Sequence, residues 1–329
     1  MNIHKVPTGI IFTDNDKKLE WLIVGDYGKE KNIKANFLGL DKKIMGVEHS
    51  DVDMSEKCVV TISTQHGCSM NCKFCDVPKV GFYGNVSSEN LLYQIQEALI
   101  YGIENKKFSN NHTKRLNIHY ARMGEPAFNP WNVLEASEQL EHLIKKIGFS
   151  TDTIHPVVST MMPRSAPQLE NFLMSWCKYK NNRRGEAGLQ LSINSTADYQ
   201  RHYQMNNLSL SLSEISKIAE KLPKPIGRKY TLNFPVVEET ILNEKVLSNL
   251  FDKENFIVKI TPIHQTTAAL KNNFNVGTSY VDYKVYEQFE KPLVENGWDV
   301  IVFIPSLEED SSRITCGNAL LSDLRKERE

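Results

Sequence analysis

The chain has 329 residues, of which 40% are hydrophobic and 24% charged, and its formal net charge is -1. These values suit a soluble globular protein built as one large α/β domain, or as a barrel with a small extra module. They exclude a whole-protein electrostatic grip on nucleic acid and leave only local basic patches for that role; no window approaches the roughly 18 consecutive apolar residues of a membrane span. Residues 1–18 carry neither the apolar stretch nor the cleavage site of a secretory signal. Six cysteines are too few for a disulfide scaffold in a chain of this length, and three of them fall within eight residues. That crowding points to metal binding in a reducing, cytoplasmic setting.

In chain order, residues 1–57 read as a small β-rich N-terminal extension, with strands at 21–24 and 36–40 separated by Gly- and Lys-rich turns. From 58 to 329 the texture changes to alternating strands and helices. Strands are expected at 58–64, 116–121, 153–159, 188–193, 229–234, 256–261 and 299–303. Between them Ser88 is expected to cap a helix whose Leu92, Ile95, Leu99 and Ile103 recur at helical spacing. A second helix is expected over 131–146, with Gly148 in the terminating position. A third is expected over 213–222, stopped by Pro223 and Pro225, and a last one over 281–296. Strands alternating with helices imply parallel pairing through right-handed crossovers. The expected fold is α/β, a partial (β/α)6 barrel with its chemistry at the C-terminal ends of the strands and a Cys-bearing C-terminal loop. Basic clusters at 178–184 and 224–229 fall in expected loops, as solvated turns or as phosphate contacts.

The run Gly67-Cys68-Ser69-Met70-Asn71-Cys72-Lys73-Phe74-Cys75 follows directly on the first strand of this region. Three thiolates in one short loop can ligate three irons of a 4Fe–4S cubane and leave the fourth open for a small chelating ligand. Spacings of three and two intervening residues, with an aromatic before the last cysteine, are the radical S-adenosylmethionine (SAM) signature. A structural zinc site is the alternative, but zinc prefers four closed ligands and no second Cys-x-x-Cys knuckle is present. Gly124-Glu125-Pro126 stands just after the strand expected at 116–121. A carboxylate there suits the ammonium of a SAM methionine, and backbone beside glycine can approach a ligand closely. Cys177 lies in an apolar helical stretch with Phe172, Leu173 and Trp176 and reads as core.

Residues 58–82 (CVVTISTQHGCSMNCKFCDVPKVGF) resemble the radical SAM rRNA adenine methyltransferases, the methyl synthases that modify carbon 2 or carbon 8 of an adenine. Further motifs match in the same order: Met123-Gly124-Glu125-Pro126, Val158-Ser159-Thr160, Leu191-Ser192-Ile193-Asn194, Ile260-Thr261-Pro262-Ile263-His264 and Thr315-Cys316-Gly317. The resemblance runs over roughly residues 15–322. It implies a 4Fe–4S cluster on Cys68, Cys72 and Cys75, two SAM molecules, and Cys316 as the carrier that first accepts a methyl group. A radical generated from the second SAM would then take hydrogen from that methyl, and the product would add to an electron-poor sp2 carbon. By the same resemblance Gly124, Glu125, Ser159, Ser192, Asn194 and His264 line the SAM site, and Phe74 packs near its adenine. The implied partners are an RNA substrate, rRNA or tRNA, and a reductant such as flavodoxin or ferredoxin; no membrane is implied.

The chain departs from that family in four places. Thr61 stands where the family carries a second cysteine, and Cys58, three residues earlier, is expected on the opposite face of the strand. The family's N-terminal helical RNA-binding module has no counterpart in residues 1–57. Residues 304–313 (IPSLEEDSSR) replace a basic stretch, and Glu308, Glu309 and Asp310 there are expected to repel a phosphate backbone. Asn194 and His264 replace a His and an Asn. Two other readings follow from these departures. One is a radical SAM enzyme acting directly on a small molecule or peptide with Cys316 only structural; the other is a non-catalytic, cluster-bearing RNA-binding protein.

Overall fold

The computed structural model describes residues 1–6, 9–25, 54–275, 282–305, 307–316 and 318–326. The strand expected at 36–40 and Gly317 of the C-terminal motif lie outside the described residues. Strands β1 (Asn2–Val6), β2 (Gly9–Asp14) and β3 (Leu19–Val24) form an antiparallel meander. β3 then pairs antiparallel with β4 (Cys58–Ile62), Leu22 opposite Thr61. From β4 the sheet continues in parallel through β7 (His112–Tyr120), β8 (Ser150–Thr160), β9 (Gly188–Ser192), β10 (Tyr230–Val236), β11 (Phe256–Pro262) and β12 (Val300–Val302). A separate ribbon of β5 (Gln65–Gly67) and β6 (Phe82–Asn85) brackets the cysteine loop. The seven barrel-region strands thus stand where they are expected, with ends shifted by a few residues, in an open, sequential, parallel order.

Alternation explains the layering. On β4, Cys58, Val60 and Ile62 are fully buried, as are Leu116, Ile118 and Tyr120 on β7 and Leu232, Phe234 and Val236 on β10. These residues join one continuous core with the helices outside the sheet, while the intervening positions are half-buried on the other face. Period-2 patterning of this kind puts the helix layer on one side only. Helix α1 (Ser88–Glu104) presents Leu91, Ile95, Ala98 and Leu99 to that core, at helical spacing and worth about 1.5–3 kcal/mol for each large side chain buried. Its cap is Ser87 rather than Ser88, the Ser87 hydroxyl accepting from the Asn90 amide at 3.2 Å.

The helix expected over 131–146 is two helices, α2 (Pro130–Glu138) and α3 (Leu140–Lys146), divided at Gln139. Gly148 follows with φ 69°, the left-handed position that ends helices on glycine. α4 (Leu169–Asn182) absorbs most of the basic cluster at 178–184, which is therefore not a loop. Lys180 is fully buried there and donates to the Ile226 carbonyl, and Arg183 pairs with Glu141 at 3.1 Å. Cys177 is fully buried, as expected of a core residue. The remaining helices are α5 (Asp198–Gln204), α6 (Leu212–Ala219), α7 (Glu244–Leu250), α8 (Thr267–Lys271), α9 (Lys284–Glu295), α10 (Leu307–Ser311) and α11 (Ala319–Lys326). α6 starts on a capping box between Ser211 and Glu214. Among the described residues no helix is long and apolar enough to cross a membrane.

Candidate active site

The C-terminal ends of the parallel strands gather most of the residues singled out from the sequence. The cysteine loop leaves β5 at Gly67, whose φ of 80° lets its backbone lie against Gly81: a Cβ there would fall 1.9 Å from the Gly81 carbonyl oxygen. Cys68 and Cys75 pack with Val77, Val80, Met123 and Leu320, and Cys68 and Cys72 with Met70, Met161 and Met205. The Cys72 thiol lies 3.5 Å from the Met161 sulfur. Burial pushes the Cys68 thiol up to about 11 and raises Cys72 and Cys75 further. A nearby multivalent cation reverses that penalty by deprotonating the thiol outright. Among the described residues no three His, Cys, Asp or Glu side chains converge on one point to hold a single metal ion. A cubane makes no such demand, because each thiolate takes a different iron.

Gly124 has φ 91°, and a Cβ on it would meet Gln65 Cβ at 2.6 Å. Only glycine lets the backbone turn so close to Gln65. Gln65 in turn ties the loop to the strand end: its Oε1 accepts from the Glu125 amide at 3.1 Å and from the Ser69 amide and hydroxyl at 3.2 and 3.0 Å. The Glu125 side chain accepts from the Ala127 and Met161 amides, each at 2.9 Å. Burial still pushes its carboxyl up to about 7, against those bonds and one from Thr160. Neither Gln65 nor Arg201 carries a sequence signal of function. Arg201 is fully buried and ties the ends of β8 and β9 to the loop before α6, donating to the carbonyls of Ser192, Ile193, Met161 and Leu210.

Ser159 and Ser192 sit half-buried on the inner face, Ser159 accepting from Gln190 at 3.0 Å. Asn194 follows β9 in a left-handed conformation, φ 65°, only 1% exposed, with neither its amide oxygen nor its amide nitrogen hydrogen-bonded to protein. A buried amide left open on both atoms is costly unless a ligand completes it. Phe74 packs edge-on to Phe274, centroids 6.2 Å apart, beside Val237 and Ile263. Thr61 is half-buried on the inner face and Cys58 fully buried on the outer one, as the odd offset requires.

Cys316 reaches the same end of the sheet from the other terminus. Through Leu320, which packs with Cys68 and Cys75, Cys316 is brought beside the cluster loop. It lines a cavity of about 230 Å³ together with Asp76, Lys79, Asp310 and Arg313. Asp310 organises this region. It pairs with His264 Nδ1 at 2.9 Å and accepts from the Thr315 hydroxyl at 2.8 Å and the Gln265 amide at 3.1 Å. Burial alone would raise the Asp310 carboxyl; His264 and these bonds outweigh it and hold it below its usual value. Glu309 and Asp310 are 7% and 9% exposed, so these two acids turn inward and do not form the repulsive surface expected of residues 304–313.

The fold is similar to that of a radical SAM methyltransferase from Sphaerobacter thermophilus, whose crystal structure superposes with a TM-score of 0.57 at 18% identity, over 93% of this chain and 80% of that one. The sequence relatives agree with the resemblance read from the motifs. A protein of Buchnera aphidicola named dual-specificity RNA methyltransferase RlmN is 25% identical over 232 residues, 59% of this chain and 61% of the relative. One of Phocaeicola vulgatus, named a probable dual-specificity RNA methyltransferase RlmN, is 25% identical over 278 residues, 83% of this chain and 69% of the relative. No family model matches the chain.

Proposed function

We propose that the protein is a radical SAM methyltransferase that methylates an sp2 carbon, with RNA the substrate class for which its relatives are named and adenine the base that the motif resemblance implies. The observation that carries this reading is the meeting at one end of the sheet of the Cys68–Cys72–Cys75 loop, Glu125 and the Cys316 loop, where Leu320 packs on Cys68 and Cys75 and Cys316 shares a cavity with Asp76 and Lys79. Cys68, Cys72 and Cys75 hold the cluster through three thiolates. Glu125 offers its carboxylate to an ammonium, and Asn194 supplies an open donor and acceptor in a dry pocket. Ser159, Ser192, His264 and Phe74 complete the walls. When bound, the cluster and SAM supply the reducing electron and the 5′-deoxyadenosyl radical that a carbon too electron-poor for polar methylation requires. Cys316 Sγ is the nucleophile that accepts the methyl group and presents it to the substrate.

Thr61 favours one alternative. A hydroxyl on the inner face cannot form the disulfide by which a second cysteine would expel an adduct from Cys316. In that alternative the radical acts directly on a small molecule or peptide. Anaerobic reconstitution with methyl-labelled SAM separates the two. Label on the Cys316 peptide, absent from Cys316→Ala, is the expected result. Deoxyadenosine formation with an unmodified Cys316 would replace the carrier reading with the direct one, and a chain that takes up no iron–sulfur chromophore would sink both.

A further inference from the structure

The inner face of the parallel sheet carries charge that the methyl chemistry leaves unused. Alternation places Arg115 and His119 of β7, His155 of β8 and Lys259 of β11 on that face, and no carboxylate occupies any inner position of β4 or β7–β12. The acid nearest its lower rim, Glu186, is engaged with His155 at 3.3 Å and Arg115 at 3.9 Å. Four strand spacings separate β7 from β11, which in a flat sheet is about 19 Å. Yet the loop after β5 meets the chain just beyond β11, Asp76 accepting from the Thr267 and Ala268 amides at 2.9 Å each. The sheet therefore curls, and His119 and Lys259 stand on its concave, inner face.

Lys259 makes no hydrogen bond or ion pair among the described residues; its Nζ stands 5.5 Å from the centroid of the Phe303 ring. Burial alone lowers its pKa to about 8. Beside it in register stands Asn233, whose Oδ1 is buried without a partner. Next along the row is Ile301 on β12, 49% exposed, as is Phe303 just beyond. Lys259 is half-buried on that face, and a cation held inside a curled sheet without a counter-charge marks a ligand site. We propose that Lys259 binds an oxyanion of the substrate, a phosphate or a carboxylate, inside the lumen. Asn233 accepts a hydroxyl of the same molecule, and the exposed Ile301 and Phe303 take its apolar or flat part. The site stands whether or not Cys316 carries a methyl group, and it gives the substrate a charge that the strand-end residues do not specify.

Trace acetylation of the full-length chain at pH 8, read by peptide mass spectrometry, tests this. About half of Lys259 is free amine at that pH, against less than about 1% of an ordinary lysine, so it labels first. A ligand at ten times its dissociation constant should protect it about tenfold. Protection by AMP and inorganic phosphate but not by adenosine identifies a phosphate; protection by succinate identifies a carboxylate; either supports the site. Protection by SAM alone would assign Lys259 to the cofactor and overturn the proposal, as would equal labelling with every anion present. Thermal stabilisation by the protecting anion should vanish in Lys259→Met and persist in Lys259→Arg. Persistence in Lys259→Met would refute the assignment even if the labelling pattern held.

Discussion

The Cys316 loop is held from below by a buried ion pair, and breaking that pair gives the sharpest stability prediction. Arg122, just past β7, donates through Nε to Glu20 Oε1 at 2.7 Å, through Nη2 to the Arg313 carbonyl at 2.7 Å and through Nη1 to the Ile314 carbonyl at 3.1 Å. Glu20 on β3 is fully buried, and its other oxygen accepts from the Leu320 amide at 2.8 Å. One carboxylate and one guanidinium thus grip the chain on both sides of Cys316. Arg122→Met leaves Glu20 charged, buried and short of most of its partners. Removing one member of a buried pair costs about 3–5 kcal/mol, a large share of a total stability of about 5–15 kcal/mol. At roughly 2–4 °C per kcal/mol for a large domain, the midpoint should fall by about 6–20 °C. Urea denaturation of Arg122→Met, Glu20→Leu and the double variant measures the coupling. The double variant should lose much less than the sum of the two singles, because no charge is then stranded. Hydrogen exchange should quicken across residues 313–320 in Arg122→Met. A loss under about 1 kcal/mol, or strict additivity, would refute the argument that this pair clamps the loop.

Three further outcomes follow from the site. Gly124→Ala places a Cβ 2.7 Å from the Gln65 backbone nitrogen at φ 91°, a strain of about 1–3 kcal/mol that should disconnect Gln65 from Glu125 and Ser69; iron retention after desalting checks it, and full retention would contradict it. His119 and His155 are each pushed down to about 3, by burial first and by neighbouring cations second. Their unfolded value is near 6.5, so the unfolded chain binds protons that the native chain refuses, and stability should fall as pH drops from about 6.5 toward 3. His119→Gln should flatten that slope in urea titrations, and an unchanged slope would exclude His119 as a contributor. Asp310→Asn keeps the acceptor for Thr315 but loses the charge facing His264. Iodoacetamide should then alkylate Cys316 at an altered rate while labelling of Cys177, buried in the core, stays unchanged.

The parallel strands were legible because each alternates a Val, Ile or Leu face with a half-buried one, a pattern that survives at single-sequence level. β1 and β2 were not. All six residues of β2 are buried without alternation, and β1 is mostly exposed, so neither shows the period that marks a strand. The break at Gln139 carries no proline or glycine to announce it. The cysteine loop, Glu125 and Asn194 could be found because they cluster in short motifs after strands. Gln65, Arg201 and the Glu20–Arg122 pair could not, since their work depends on partners brought close only by folding; Glu20 and Arg122 are 102 positions apart.

The same limit governs charge. Read along the chain, residues 308–310 look like an acidic patch facing a polyanion, and a net charge of -1 looks indifferent to one. Folding alters both impressions: of these acids, Glu309 and Asp310 are buried. Asp310 is consumed by His264, Thr315 and Gln265, and the inner face is left with Arg115 and Lys259 and no carboxylate. An anionic substrate is therefore opposed less by this protein than its sequence suggests, and the place where charge would draw it in is the lumen of the barrel. Of the basic cluster at 178–184, Lys180 is buried and Arg183 is paired with Glu141. The Lys259 site proposed above would select for one charged group presented at depth, which a single extruded nucleotide or a small phosphorylated molecule can offer and a continuous duplex cannot.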